Sequence, residues 1–297
     1  MSWCPECRRV GPTVTREDTA RAQRTWAAGE HPVAREVERR TLGSDFGADG
    51  YATLSEVDEL ARILELGPRR WLLDVGAGQG WPGLYLARQT GCTVVLTDLP
   101  FAGLAAAASR STREGLEGRA WGLVAGGEAL PLRPAAFDAV VHTDVLCCLG
   151  PKLATLQATR RALRPGGHTA FSVIYPTPGL PAAEARRAIE AGPPHCGLRT
   201  SYPSLLHSAG FVGIEEHNLT SDYLVTATAK LDEAQRFADE MIEMLGRQEF
   251  DEMQAKRRLA VRAIADGLLR RSLFIAQRPR RAPRASETAF CPRSAAL

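Results

Sequence analysis

The sequence predicts an α/β protein with a parallel sheet covered by helices on both faces. Three observations carry this. Short apolar runs alternate with helical stretches from Trp71 to Tyr175, the rhythm of successive βαβ units. The runs Trp71–Val75, Thr93–Thr97 and Phe137–His142 are nearly continuously apolar or β-branched, as strands buried on both faces are. The first run opens into a glycine-rich turn that leads directly into a helix.

The elements follow in order. Residues 1–45 are Arg-rich and polar, broken by Gly11-Pro12 and His31-Pro32, with helical periodicity only around Ala34–Leu42. This reads as a partly helical N-terminal extension. A helix follows with Thr53 or Ser55 as its cap. Leu54, Val57, Leu60, Ala61 and Leu64 share one face, and Gly67-Pro68 ends it. Strands are predicted at Trp71–Val75, Thr93–Thr97, Ala120–Val124, Phe137–His142 and Thr169–Tyr175. Helices fall between them at Leu84–Arg88, Ala102–Thr112 and Leu153–Leu163, the last stopping at Arg164-Pro165-Gly166-Gly167. The Pro-rich stretch 176–199 reads as a loop with one short helix. Tyr202–Ala209 is helical and Phe211–Glu216 a strand. Two helical stripes occupy 231–268, the first through Leu231, Ala234, Phe237, Met241 and Leu245, the second through Phe250, Met253, Ala260, Ile264 and Leu268. Ser272–Ala276 is the last predicted strand. The main domain therefore spans 46–279, with a helical insertion at 231–268, and 280–297 reads as a disordered tail.

Composition narrows the function classes. The 297 residues are 44% hydrophobic and 24% charged, with net charge +3, too little to argue for nucleic acid or a membrane surface as partner. No run approaches a spanning helix, and the N-terminal residues are not of signal-peptide type, so a cytoplasmic protein is expected. Seven scattered cysteines fit reduced thiols. Cys4-x-x-Cys7 supplies two of the four ligands that structural zinc needs, and the remaining cysteines and histidines show no second motif of that spacing, so no metal is expected.

The chemistry concentrates in Leu72-Leu73-Asp74-Val75-Gly76-Ala77-Gly78-Gln79-Gly80-Trp81-Pro82-Gly83. Glycines permit a sharp bend and close approach to a ligand, and the free N–H groups at a helix start favour negative charge. Gly78-x-Gly80-x-x-Gly83 formally satisfies a dinucleotide fingerprint. Asp74 speaks against one, since a carboxylate repels pyrophosphate but suits an ammonium group. It can also hold the turn by hydrogen bonds to its amides. Twenty residues after Gly78, Asp98 ends the second strand, where a carboxylate accepts both hydroxyls of an adenosine ribose.

These segments resemble the class I S-adenosylmethionine-dependent methyltransferases, over roughly Leu54 to Pro279. Gly126-Gly127-Glu128-Ala129-Leu130-Pro131 resembles the family's adenine loop, Phe137-Asp138-Ala139-Val140-Val141 its fourth strand, and Leu163-Arg164-Pro165-Gly166-Gly167 the turn before its fifth. The resemblance implies a Rossmann-like, doubly wound, seven-stranded sheet whose last strand is antiparallel. It also implies S-adenosylmethionine as cofactor, held by Asp74, Gly76, Ala77, Gly78, Gly80, Asp98, Leu99, Glu128, Ala129 and Thr143. Gly126 stands where the family often has Asp, so adenine recognition is expected from amides near Glu128 and Ala129 or from Glu128 itself.

A catalytic group is expected just past the fourth strand, since open α/β sheets bind ligands beyond the carboxyl ends of their strands. His142 is a candidate base, and Asp144 a proton acceptor or partner for a substrate ammonium. Val140–Leu149 also resembles the segment of phosphobase and small-amine N-methyltransferases that carries an Asp at this place; Cys148 stands where the phosphobase pattern has His. The expected activity is N- or O-methylation of a small molecule by a monomer or homodimer. A nicotinamide-dependent oxidoreductase, an RNA modifier and a non-catalytic cofactor-binding protein are the alternatives. The stripes at 231–268 are expected to form a cap with loop 176–199, the competing reading being a dimerisation hairpin.

Overall fold

A computed structural model describes residues 29–280. Cys4, Cys7 and the segment 281–297 lie outside the described residues. The helices are α1 (Pro32–Leu42), α2 (Leu54–Ile63), α3 (Gly83–Thr90), α4 (Phe101–Arg113), α5 (Lys152–Ala162), α6 (Ala182–Ala191), α7 (Tyr202–Ser208), α8 (Thr220–Arg236), α9 (Ala238–Leu245) and α10 (Arg247–Ala265). The strands are β1 (Trp71–Val75), β2 (Thr93–Asp98), β3 (Ala120–Val124), β4 (Phe137–Thr143), β5 (Leu163–Pro176), β6 (Val212–Asn218) and β7 (Leu269–Gln277). They form one seven-stranded sheet in the order β3-β2-β1-β4-β5-β7-β6. β1 to β5 run parallel, and β7 is antiparallel to both neighbours.

Alternation along β1 builds the two faces of the core. Leu72 packs with Leu60, Leu84, Val94 and Leu104 beneath α2, α3 and α4. Leu73 and Val75 point the other way, to Leu156, Phe171, Tyr202 and Phe274 beneath α5 and α7. Thr53 caps α2 by accepting the Glu56 N–H, as its sequence context predicts.

Three elements differ from the sequence reading, and a fourth refines it. β5 extends back through the expected Arg164–Gly167 turn to Leu163, which pairs with Phe137, while the Gly166 N–H is held by Arg278. The short helix expected within loop 176–199 is the ten-residue α6. The insertion is three helices, not two, and starts at Thr220, because α8 continues straight out of β6. β7 begins three residues earlier than expected, taking in Arg270 and Arg271.

The apolar stripes of the insertion are covered within the chain. Met241 and Phe250, with Phe237, Ile242 and Met253, pack on Val33 and Val37 of α1 in a third small core. The N-terminal helix and the insertion thus form one layer, and the segment 43–53 leads from it to the main sheet.

Candidate active site

At the carboxyl end of β1 the chain takes left-handed conformations at Gly76 (φ +74°), Gly78 (φ +51°) and Gly80 (φ +103°). A β-carbon on Gly76 would come within 2.6 Å of the Val145 side chain, so the turn after β4 packs directly on the glycine turn. The Gly76 and Ala77 amides both donate to the Thr97 carbonyl at 2.7 and 3.0 Å, locking the turn to the end of β2.

Two carboxylates frame this turn differently. Asp98 is half-buried. Its Oδ2 accepts the Gly78 N–H at 2.7 Å and its Oδ1 the Leu99 N–H at 2.7 Å. Burial pushes its pKa up, opposed only by those two amides. Asp74 is buried, with Oδ2 accepting the Gly83 N–H at 2.9 Å where α3 starts, while Oδ1 has no hydrogen-bond partner among the described residues. Burial drives its pKa well above the usual carboxylate range.

Asp144 follows β4 in a left-handed conformation (φ +56°), a region that Asp tolerates better than most residues. Its N–H donates to the Ser172 carbonyl at 2.9 Å. Its carboxylate is already partnered: Oδ1 accepts Arg271 Nε at 2.8 Å and Ser172 Oγ at 3.2 Å, and Oδ2 accepts the Tyr51 N–H at 2.9 Å. Arg271, on β7, continues to Glu56 through a two-pronged contact of 2.8 and 2.9 Å. Side-chain exposures are 1% for Arg271, 5% for Asp144 and 11% for Glu56, so this ion triad is buried. Burial lowers the Arg271 pKa, but the two carboxylates outweigh it and the net shift is upward. Glu56 is pushed up by burial against the pull of Arg271.

The segment 43–53 crosses this end of the sheet as a strap. Glu38 of α1 organises its start by accepting Ser44 Oγ at 2.6 Å and the Phe46 and Gly47 amides at 2.9 and 2.5 Å. Arg110 of α4 lies 3.7 Å over the Phe46 ring and bonds the Asp45 carbonyl at 2.8 Å. Lys230 of α8 donates to the Asp49 and Gly50 carbonyls at 3.2 and 2.6 Å, and Trp81 Nε1 to the Ala52 carbonyl at 3.1 Å. Tyr51 meets Tyr223 of α8 edge-on at 4.6 Å. The strap thus ties the insertion to the glycine turn and to Asp144.

Residues 73–171 match the family model described as a methyltransferase domain. The chain is 34% identical over 197 residues to malonyl-[acyl-carrier protein] O-methyltransferase of Methylococcus capsulatus, covering 62% of this chain and 70% of that protein. It is 24% identical over 231 residues to phosphoethanolamine N-methyltransferase 1 of Zea mays, covering 77% of this chain but only 46% of the maize protein, so it spans about half of that relative's length. The fold matches a sarcosine dimethylglycine methyltransferase structure from Galdieria sulphuraria with a TM-score of 0.69 at 16% identity, over 76% of this chain and 83% of that one. The chain belongs to the class I S-adenosylmethionine-dependent methyltransferases.

Two sequence expectations for this methyltransferase do not fit its geometry. His142 is fully buried and stacked on Phe171 at 4.5 Å, and neither ring nitrogen has a hydrogen-bond partner among the described residues. Burial lowers its pKa to about 3. The expected base thus faces the packed core and not the surface of the site. The Ala129 amide closes a turn on the Gly126 carbonyl at 3.0 Å and is committed there, not free for adenine. Glu128 remains, half-buried beside Gly126.

The other expected residues gather at one end of the sheet. Gly76, Ala77, Gly78, Gly80, Asp98 and Leu99 form a single hydrogen-bonded unit, and Thr143 pairs with Ser172 at the end of β4. Sequence reasoning missed Glu56, Tyr51, Lys230 and Arg271. Arg271 carried a usable signal: a charge within an apolar strand must be paired when buried. The others come from distant segments with no motif. Among the described residues no group of His, Cys, Asp and Glu is placed to hold a metal, and no helix is long and apolar enough to cross a membrane.

Proposed function

We propose that this methyltransferase holds S-adenosylmethionine with its methionine end on the Gly76–Gly80 turn and its ribose on Asp98, and methylates a nitrogen or oxygen of a small molecule. The acceptor lies beneath the strap 43–53 and the α8–α10 cap. The observation that carries the reading is Asp98, a half-buried carboxylate oriented by two amides and, among the described residues, without a cationic partner. Each oxygen retains a lone pair, and two ribose hydroxyls would supply the donors that the buried charge lacks. Asp74 fits as the residue that fixes the α3 start, and its unpartnered Oδ1 favours a cationic or protic neighbour over a pyrophosphate.

When bound, the cofactor supplies an electrophilic methyl group. The chain's part is to align and enclose the reactants. Asp144 has given three acceptor sites to protein donors, which leaves a lone pair on Oδ2. That suits it to orient an N–H or O–H of the acceptor rather than to act as a free base. The phosphoethanolamine and acyl-carrier relatives bracket the acceptor chemistry without choosing between nitrogen and oxygen.

Calorimetry with S-adenosylmethionine tests the cofactor assignment. Asp98→Ala should weaken binding by about ten- to a hundred-fold, the loss of hydrogen bonds to a charged group, with circular dichroism unchanged. A labelled-methyl screen of a metabolite extract then identifies the acceptor. Binding of NADH without S-adenosylmethionine would overturn the assignment. Cofactor binding with no transfer to any fraction would favour a non-catalytic role.

A further inference from the structure

The turn that follows Asp144 carries two adjacent cysteines, Cys147 and Cys148, in the short 3-10 helix Leu146–Cys148. Their thiols converge on one acceptor. Cys147 Sγ donates to the Asp144 carbonyl at 3.2 Å and Cys148 Sγ to the same oxygen at 3.7 Å. Their surroundings differ: Cys147 is buried and Cys148 exposed. The backbone is anchored around them, since the Cys147 carbonyl accepts the His195 N–H at 2.9 Å, and Lys152 Nζ joins the Leu149 and His195 carbonyls at 2.7 and 2.6 Å. Nothing in the proposed methyl transfer uses either sulfur.

We propose that Cys147 and Cys148 form a dithiol modification site that closes to a disulfide by exchange with a small disulfide of the glutathione class, and that closure loosens the turn holding Asp144. The exposed Cys148 sulfur meets the incoming disulfide and forms a mixed disulfide; the first small thiol departs with the Cys148 proton. Cys147 Sγ then attacks Cys148 Sγ, and the second small thiol leaves with the Cys147 proton. Two protein thiols are oxidised and one small disulfide is reduced to two thiols. The neighbouring thiol and burial push the Cys147 thiol well up, which suits it to be the second, resolving sulfur rather than the first to react. Closure removes both S–H donors from the Asp144 carbonyl, beside a residue already held in a left-handed conformation. This last consequence rests on the reading of Asp144 given above; the thiol chemistry does not.

The test uses the full chain with Cys4→Ser and Cys7→Ser, so that the other close cysteine pair in the sequence cannot respond. After treatment with oxidised glutathione, peptide mapping should find the 147–148 peptide lighter by two hydrogens and free of glutathione. Cys147→Ser should instead retain glutathione on Cys148. Phenylarsine oxide, which bridges two thiols with loss of water, should bind one-to-one and be lost in Cys148→Ser. A stable glutathione adduct on Cys148 with Cys147 intact, or a bond from Cys148 to Cys196, would overturn the site. In the closed protein, methyl transfer should fall at least several-fold, with S-adenosylmethionine affinity retained and activity restored by dithiothreitol. Closure with transfer unchanged would overturn the link to Asp144. Absence of cofactor binding in the untreated protein would count against the proposed function and leave the mass result standing.

Discussion

Arg271→Met removes the charge at the centre of the buried triad and keeps most of the apolar stem. Four hydrogen bonds of 2.8–2.9 Å disappear, one to Asp144, two to Glu56 and one to Ser172 Oγ. Two carboxylates, 5% and 11% exposed, then lie buried without a cation. Breaking a buried pair from one side costs about 3–5 kcal/mol, mostly the desolvation of the charge left behind. Urea unfolding at pH 7 should show a loss of that size. The loss should shrink towards pH 5. Without the guanidinium, burial holds the Glu56 carboxyl further above its unfolded value, so its penalty is fully present above the raised folded pKa and is relieved as a proton binds. Burial already pushes Glu56 upward in the intact protein. A second variant, Glu56→Gln, should cost less in the Arg271→Met background than alone, with a coupling of about 1.5–3 kcal/mol. A loss below about 1 kcal/mol at pH 7 that does not change with pH would refute the argument that Arg271 neutralises the pair.

Asp144→Asn keeps the shape of the side chain but not its charge, so turnover in the labelled-methyl assay should fall by at least about ten-fold, with S-adenosylmethionine affinity within a few-fold of wild type. His142→Leu should leave turnover intact, because the ring touches no opening. Its folded pKa of about 3 lies below the unfolded value, so the wild type loses stability as pH falls below about 6.5. Between pH 7 and pH 5 it should lose about 2 kcal/mol that the leucine variant does not. Lys230 follows the same sign at higher pH, its pKa lowered to about 8 by burial. The unfolded chain binds the extra proton above that pH, so the wild type should gain about 1.5 kcal/mol over Lys230→Met between pH 8 and pH 9.5. Parallel slopes for the two proteins in chemical unfolding would count against a buried charge at that position.

Much of the sheet was legible because its signals are local. A short apolar run such as Leu72–Val75, broken only by Asp74, suits the middle of a parallel sheet, and a turn such as Gly76–Gly80 needs backbone angles that glycine takes at no steric cost. Asp98 was legible for the same reason, since its distance from the turn follows from one βαβ unit. The insertion was less so. Its stripes announced burial, but periodicity does not say against what, and the partner is Val33 and Val37, some two hundred residues away in the chain.

The amino-acid order alone settled which segments are strands, where the glycine turn lies and which acids sit beside it, because hydrophobic burial and backbone sterics act over a few residues. Tertiary structure decided what the polar groups at the opening meet. His142 lies within β4 and Asp144 just past its end, yet one is sealed against Phe171 and the other bonded to Arg271 and Tyr51. Strand alternation would put positions two apart on one side, but the left-handed turn at Asp144 breaks that pattern, and its partners come from β7, Tyr51 of the strap and, through Arg271, α2. Electrostatic partners separated by 127 and 215 residues leave no periodic trace, since their interaction depends on distance in space and on the water excluded between them.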